Sequence, residues 1–235
     1  MIHKSKSLQV FKRFGEKTLM LDTDFQMMAC KDSVLSVLIV DRSGSMRQFG
    51  LLPQVEVNNH IKRMSLETGA EHYVLVVTFA DRPTVDINVT RCKNNPQLVG
   101  YVADGETLLF DTVYYVLKAL YNLRKTIPMP LLENLQVVVG VFSDGANNPP
   151  QGYANRDQPR KLQDACKVVL ATGKFDLNSY GIGIDAKQLA TSMGFPTDDV
   201  HCVTVHNSED GVTAASGIFS QRTSTFSIKM GIEDD

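Results

Sequence analysis

Residues 33–46 read SVLSVLIVDRSGSM, in which eight mostly apolar residues run directly into an aspartate and two serines. A continuous, β-branched run of this length is typical of a central parallel strand that is buried on both faces. In an open α/β sheet, ligands bind just beyond the carboxyl ends of such strands. The stretch therefore predicts a buried strand followed by a polar loop at a ligand-binding edge.

Strand and helix patterns alternate along the rest of the chain. Strands are predicted at 72–80, 83–90, 135–143, 175–185 and 200–205, and helices near 55–67, 107–125, 159–173, 186–194 and 208–220. The 83–90 segment alternates polar and apolar residues, which favours an edge strand, and Pro128 and Pro130 close the 107–125 helix region. The pattern predicts an α/β fold in three layers, with a mostly parallel central sheet and helices on both faces.

The length of 235 residues corresponds to about one and a half domains at roughly 150 residues each, so we expect one α/β domain with extensions. The domain is predicted to span residues 33–222. Residues 1–32 form an N-terminal extension that adds a strand or packs on the sheet, and residues 223–235 form a C-terminal tail.

Charge and cysteine content exclude several classes of function. The net charge is −2, which argues against a nucleic-acid or membrane-surface binder, since such proteins carry a strong basic excess. No apolar run approaches the ~20 residues of a membrane-spanning helix, and the first residues lack the apolar stretch of a signal peptide. The four cysteines lie far apart without a CxxC pair, so we expect a reduced, cytoplasmic protein with no membrane or nucleic-acid partner.

Three polar loops carry the functional prediction. They are DRSGSM at 41–46, GETLLFD at 105–111 and FSDG at 142–145. In this order and spacing, they resemble the loops of the von Willebrand factor A family that form a metal-ion-dependent adhesion site. The resemblance covers about residues 33–220. Carried over residue by residue, it predicts five metal-site positions, which are Asp41, Ser43, Ser45, Thr107 and Asp144.

The resemblance implies a Mg²⁺ or Mn²⁺ ion whose contacts are hydroxyls, with the aspartates often acting through water. Such a neutral set of ligands leaves an open position that attracts a carboxylate from a partner protein. The implied function is a metal-dependent protein–protein interaction module and not an enzyme. The chain is also similar in size to stand-alone bacterial cytoplasmic members linked to tellurite resistance and stress response, and other intracellular members are adaptors of AAA+ ATPases.

Simpler interpretations of the same residues remain open. A D-x-S-x-S run or a lone threonine can cap a helix, and Asp144-Gly145 can be an ordinary turn. A metal-dependent hydrolase or phosphatase using Asp41 and Asp144 is the alternative function, although it requires further acid and lysine groups near Asp41. A third possibility is a metal that only stabilises the fold. The chain has no G-x-S-x-G elbow, phosphate-binding GK[ST] ending or zinc-like histidine spacing.

Two features near the predicted site depart from the family pattern or extend it. The second loop has Gly105-Glu106-Thr107 where the family often has Gly-Gly-Thr, and Asp104 precedes it. Either these two acids raise cation affinity and weaken attraction for an acidic partner, or they point to solvent. Arg42 is expected to point away from the metal. The loop 145–159 is either a recognition surface or a tolerated insertion, and its candidate contacts are Asn147, Asn148, Tyr153 and Arg156.

Overall fold

A computed structural model describes residues 32–124, 133–151 and 158–230 of the chain. The predicted N-terminal extension, apart from its last residue, lies outside these residues, as do Pro128, Pro130, Tyr153 and Arg156. No helix in the described part is both long and apolar enough to cross a membrane.

Six strands and five α-helices follow one another in the part of the chain that the structure describes. The strands are β1 (Ser33–Asp41), β2 (Glu71–Phe79), β3 (Pro83–Arg91), β4 (Leu135–Ser143), β5 (Phe175–Ile182) and β6 (Cys202–Val205). The helices are α1 (Leu52–Leu66), α2 (Leu109–Arg124), α3 (Gln158–Leu170), α4 (Ala186–Met193) and α5 (Glu209–Met230). A 3-10 helix, Gly44–Phe49, lies between β1 and α1.

The strands form one sheet in the order β3-β2-β1-β4-β5-β6. Every neighbouring pair is parallel except β2 and β3, so the predicted edge strand is the antiparallel one. Strand β1 lies in the middle and pairs with β2 and β4 over its whole length. The predicted α/β architecture with a mostly parallel sheet is confirmed.

Alternate residues of β1 explain the three layers. Leu35, Val37 and Ile39 join the core beneath α2, α3 and α4, whereas Val34 and Leu38 join the core beneath α1 and α5. Side chains on a strand alternate between its two faces, so a strand covered by helices on both sides is apolar at nearly every position. This is the physical basis of the continuous apolar run in the sequence.

Helix α5 continues to Met230, ten residues beyond the end predicted near residue 220. Its second half is rich in serine and threonine, which have a modest preference for helices. There the hydroxyls of Thr223, Ser224 and Thr225 each donate to the backbone carbonyl four residues earlier. The Ser224 hydroxyl also lies 2.8 Å from Glu67 Oε1. Tertiary contacts of this kind stabilise a helix that local preference alone does not predict.

Candidate metal centre

The first predicted loop begins where β1 ends, at a fully buried aspartate. Asp41 is 0% exposed, and both of its carboxylate oxygens accept hydrogen bonds. The Ser43 N–H donates to Oδ1 at 2.7 Å, and the Ser143 hydroxyl donates to Oδ2 at 2.5 Å. Ser143 is the last residue of β4, so the two central strands of the sheet meet at this carboxylate.

Hydroxyl groups connect this loop to the third one. The Ser43 and Ser45 hydroxyl oxygens lie 3.1 Å apart, and the Ser45 hydroxyl donates to Asp144 Oδ1 at 2.7 Å. Ser43 is the N-cap of the 3-10 helix, but its side chain makes no capping hydrogen bond. Its hydroxyl therefore faces the other polar groups, which is what a ligand site requires and a helix cap does not.

The second loop places Thr107 beside the same group. The Thr107 backbone exchanges two hydrogen bonds with Asn148, at 2.8 and 2.9 Å, so the second and third loops are paired. A side chain added at Gly145 would lie 3.9 Å from the Thr107 hydroxyl, which places that hydroxyl next to the residue following Asp144. Helix α2 begins only at Leu109, two residues later. The structure thus brings all five predicted residues to one edge of the sheet.

Backbone contacts fix the distance between the first two loops. The Gly44 N–H donates to the Gly105 carbonyl at 2.9 Å, and the Asp104 N–H donates to the Arg42 carbonyl at 2.8 Å. Gly105 has φ +89°, and a Cβ there would lie 2.7 Å from a carboxylate oxygen of Asp81. Both the conformation and the space require glycine at this position.

Sequence reasoning missed three residues that support the site. Ser143 holds Asp41 in place, and its position next to Asp144 at a strand end was the available signal. The Tyr101 hydroxyl donates to the Asp41 backbone carbonyl at 2.7 Å, from a segment with no regular structure. Asp81 accepts the Glu106 N–H at 2.7 Å. The last two contacts span 60 and 25 residues, and no local pattern in the sequence indicates them.

Asp104 and Glu106, the two acids by which the second loop departs from the family pattern, lie at the rim of the site. The Asp104 carboxylate pairs with Arg47 at 2.9 Å, and both side chains are largely exposed. The Glu106 carboxylate accepts a hydrogen bond from the Asn148 amide at 2.5 Å. Arg42 lies with its guanidinium 3.5 Å from the Thr84 hydroxyl on β3. The effect of Asp104 and Glu106 on cation affinity stays a prediction.

The described part of the loop 145–159 is used in local structure. Asn147 accepts the backbone N–H of Phe110 at 3.0 Å, in the first turn of α2. Asn148 pairs with Thr107 as described above. These contacts hold the second and third loops together and so position the candidate site.

The electrostatics of the site suit a bound cation. Burial raises the pKa of Asp41 to about 6, the hydrogen bonds from Ser143 and Ser43 oppose the shift, and the charge of Asp144 adds to it. Burial also raises the pKa of Asp144, whereas the bond from Ser45 lowers it. A raised pKa means that the ionised form is disfavoured, and a positive ion beside both carboxylates would offset that cost.

The set of donors also indicates which cation fits. Among the described residues, no group of three or more histidine, cysteine, aspartate or glutamate side chains could hold a metal ion. A metal here would therefore be bound by two carboxylates, three hydroxyls and water. Oxygen ligands with several waters suit hard divalent cations such as Mg²⁺ and Mn²⁺. The residues present fit the predicted ion.

Comparison with known proteins bears on the fold. No family model and no curated protein matches the chain. Among solved structures, it is similar to a von Willebrand factor type A protein from Catenulispora acidiphila, with 15% identity and a TM-score of 0.54 over 83% of this chain and 43% of that one. It is also similar to proximal thread matrix protein 1 from the mussel byssus with a zinc-occupied MIDAS motif, with 18% identity and a TM-score of 0.54 over 83% and 47%.

A third similar structure is the manganese-loaded TRAP protein of Plasmodium vivax, with 17% identity and a TM-score of 0.51 over 80% of this chain and 74% of that one. The chain spans less than half the length of the Catenulispora and mussel proteins. At these identities, the likeness bears on architecture alone. The order of the strands, the helices on both faces and these three likenesses agree, and the chain therefore has the fold of a von Willebrand factor A domain.

Proposed function

We propose that the protein is a metal-dependent interaction module that binds Mg²⁺ or Mn²⁺ at the candidate metal centre and holds a partner protein through it. The observation that carries the proposal is the convergence of five polar side chains from three loops on one sheet edge. The proposed ligands are Asp41, Ser43, Ser45, Thr107 and Asp144. The ion would supply a positive charge with an open position, to which an acidic side chain of the partner binds.

Each proposed ligand has a separate task. Ser43, Ser45 and Thr107 present neutral hydroxyls, which leave much of the ion's charge available to the partner. Asp41 and Asp144 supply the negative charge that retains the cation, and the hydroxyl of Ser45 keeps Asp144 oriented. Ser143 orients Asp41 in the same way. The rim acids Asp104 and Glu106 would repel an acidic partner at long range, so a productive partner has to engage the metal closely.

The alternative of a hydrolase or phosphatase is less well supported by the geometry. An aspartate nucleophile has to reach its substrate, whereas Asp41 is fully buried with both oxygens hydrogen-bonded. Asp144 is near enough to shift the pKa of Asp41, so the second acid is present, but it accepts a hydrogen bond from Ser45. Turnover of phosphorylated substrates with Mg²⁺, lost in Asp41→Ala, would contradict the interaction module.

Metal binding is tested by calorimetric titration of EDTA-stripped protein with Mg²⁺ and with Mn²⁺. We expect one saturable site in the wild type and none in Ser43→Ala/Ser45→Ala. The matched control is Ser65→Ala/Ser192→Ala, because each of those hydroxyls bonds only a nearby helix carbonyl and lies in a different part of the fold. Binding that persists in the first double variant, or is absent from the folded wild type, would contradict the proposed site.

Partner recognition is tested with a displayed library of random peptides. Selection is carried out on the Mn²⁺-loaded protein, and peptides that also bind in EDTA are removed. We expect the enriched peptides to share an aspartate or glutamate whose replacement by alanine abolishes binding. If Asp41→Ala lowers stability but still captures these peptides once folded, the metal serves the fold alone and the proposal is wrong.

The finer form of the proposal is an intracellular adaptor, in a stress-response complex or one built around an AAA+ ATPase. It is supported by the resemblance of the three loops to the family and, for the stress-response complex, by the size and architecture of the chain. Purification of the tagged chain from cells in Mg²⁺, in EDTA and as Asp41→Ala tests it. We expect an ATPase to accompany only the wild type in Mg²⁺.

A further inference from the structure

A groove between α2 and α3 lies on the flank of the fold, away from the metal loops. Its volume is about 320 Å³, within the range of natural binding clefts. Its floor is formed by Leu117 of α2 and Val169 of α3, both buried. Both helices run from the carboxyl edge of the sheet to the opposite edge, because each leads into the amino end of a parallel strand. The groove is therefore bounded by two helices that run in the same direction.

The two walls present side chains at helical spacing. On α2 the wall consists of Tyr114, Lys118 and Tyr121, three and four residues apart. On α3 it includes Lys161, Ala165 and Val168, again three and four residues apart, together with the acidic Asp164. Residues at this spacing lie on one face of a helix and cover about two turns. A third helix can pack its own row of side chains between two such rows.

The rim of the groove is both apolar and positively charged. Val168 is 47% exposed, which is high for a valine on a packed helix. Lys118 and Lys161 are exposed on opposite walls, and the Lys118 ammonium lies 5.6 Å from the centre of the Tyr114 ring. An occupant that fits therefore needs an apolar ridge with acidic groups on both sides.

The charge of the two helices supports this conclusion. Their basic residues are Lys118, Arg124, Arg160, Lys161 and Lys167, and their acidic residues are Asp111 and Asp164. Asp111 is only 9% exposed and lies close enough to Lys161 for their charges to interact, and Asp164 on the α3 wall lies 3.6 Å from Lys167, so five basic residues face two acids on these helices. This face is basic although the whole chain carries a net charge of −2.

We propose that the groove between α2 and α3 binds an acidic amphipathic helix of a partner protein. Leucine-like side chains at positions i, i+4 and i+7 of that helix would lie on Leu117, Val168 and Val169. Its aspartates or glutamates would pair with Lys118 on one wall and Lys161 on the other. The groove is a second binding surface, on the flank of the sheet, and can be occupied while the candidate metal centre holds another segment or partner.

The test is selection from a displayed library of helical peptides, carried out in EDTA so that the candidate metal centre does not contribute. We expect enriched sequences with a helical apolar stripe flanked by aspartate and glutamate. Synthetic versions should bind the double variant Lys118→Glu/Lys161→Glu about tenfold more weakly than the wild type, since two attractive charge pairs become repulsive.

The control is Lys62→Glu/Lys93→Glu, which makes the same change in total charge at exposed positions outside α2 and α3. We expect this variant to bind the peptides like the wild type. Equal weakening in both double variants, or enriched peptides without an acidic excess, would overturn the proposal. A dimer of the chain that Lys118→Glu/Lys161→Glu dissociates in sedimentation would also overturn it, because the occupant would then be a second copy.

Discussion

Two buried aspartates at opposite edges of the sheet have opposite electrostatic surroundings. Asp176, near the start of β5, receives two hydrogen bonds from the Arg222 guanidinium, at 2.9 and 2.7 Å, and its Oδ1 lies 3.0 Å from His201 Nε2. Asp41, at the end of β1, receives hydrogen bonds from neutral groups, the Ser43 N–H and serine hydroxyls. Val138, the β4 partner of Asp176, lies five residues before Ser143, which binds Asp41, so the two carboxylates are about 17 Å apart along the strand direction.

The pKa values show the consequence of this difference. Burial raises the pKa of both carboxyls, but at Asp176 the Arg222 hydrogen bonds and charge reverse the shift and leave the pKa below its usual value. At Asp41 burial prevails and the pKa rises to about 6. The protein therefore pairs one buried carboxylate with its own arginine, whereas no arginine or lysine of the described residues forms a salt bridge with the other. A buried aspartate that is paired with an arginine, like Asp176, indicates a structural role. A buried aspartate without such a partner, like Asp41, indicates a binding site.

The largest expected effect concerns the pair of Arg222 and Asp176, near the start of β5. Arg222→Met leaves the Asp176 carboxylate buried without its partner, and we expect a loss of about 3 kcal/mol in the free energy of unfolding. Urea denaturation measures it. The double variant Asp176→Asn/Arg222→Met should lose less, because no charge is then left unpaired. A loss below about 1 kcal/mol in the single variant would show that this pair is not structural.

The second prediction concerns Asp41, whose replacement is expected to raise the free energy of unfolding and not to lower it. Its pKa is about 6 in the folded protein and 3.8 in the unfolded chain, so the unfolded chain ionises first. The contribution of Asp41 to the stability of the metal-free protein therefore falls as pH rises from 4 to 6. At pH 7, Asp41→Asn removes this penalty of about 3 kcal/mol but weakens a hydrogen bond, so we expect the variant to be about 2 kcal/mol more stable than the wild type.

A bound metal should reverse this order. At a Mn²⁺ concentration of about 100 times the dissociation constant, we expect the wild type to gain about 3 kcal/mol and Asp41→Asn to gain nothing. Thermal unfolding with and without Mn²⁺ at pH 7 measures both effects. Asp41→Asn that is less stable than the wild type in EDTA would show that Asp41 is a structural acid of the Asp176 kind.

This comparison also separates what the sequence predicts from what it does not. The central strand and its loop were predicted because burial on both faces makes residues 33–40 uniformly apolar, a local signal. The five site residues were predicted from the resemblance of the three loops to those of the von Willebrand factor A family, and the carboxyl ends of parallel strands explain why such loops meet at one sheet edge. By contrast, Asp176 and Arg222 lie 46 residues apart on a strand and a helix, and nothing local indicates that they meet.

The same limit explains the misjudged end of α5. Arg222 and Ser224 lie beyond the predicted end near 220, and both hold that helix to distant elements, at Asp176 and Glu67. Intrinsic preference along a serine- and threonine-rich segment favours an earlier stop. The predicted end of α5 is therefore wrong because long-range contacts outweigh the local preference of this segment.

The smallest expected effect concerns Arg47, whose positive side chain lies beside the candidate metal centre without neutralising its buried acids. Arg47 pairs with Asp104, and the two side chains are 70% and 78% exposed, so Arg47→Ala should change the free energy of unfolding by less than about 0.5 kcal/mol. It also frees the Asp104 charge, so Mn²⁺ affinity should rise about twofold at low salt and not at about 1 M salt, where the Debye length is near 3 Å.

Lys167→Ala breaks a similarly exposed pair with Asp164 on α3 and should leave Mn²⁺ affinity unchanged. An equal rise in both variants would mean that net charge alone sets the affinity, whereas a rise only in Arg47→Ala would show that the second loop tunes it.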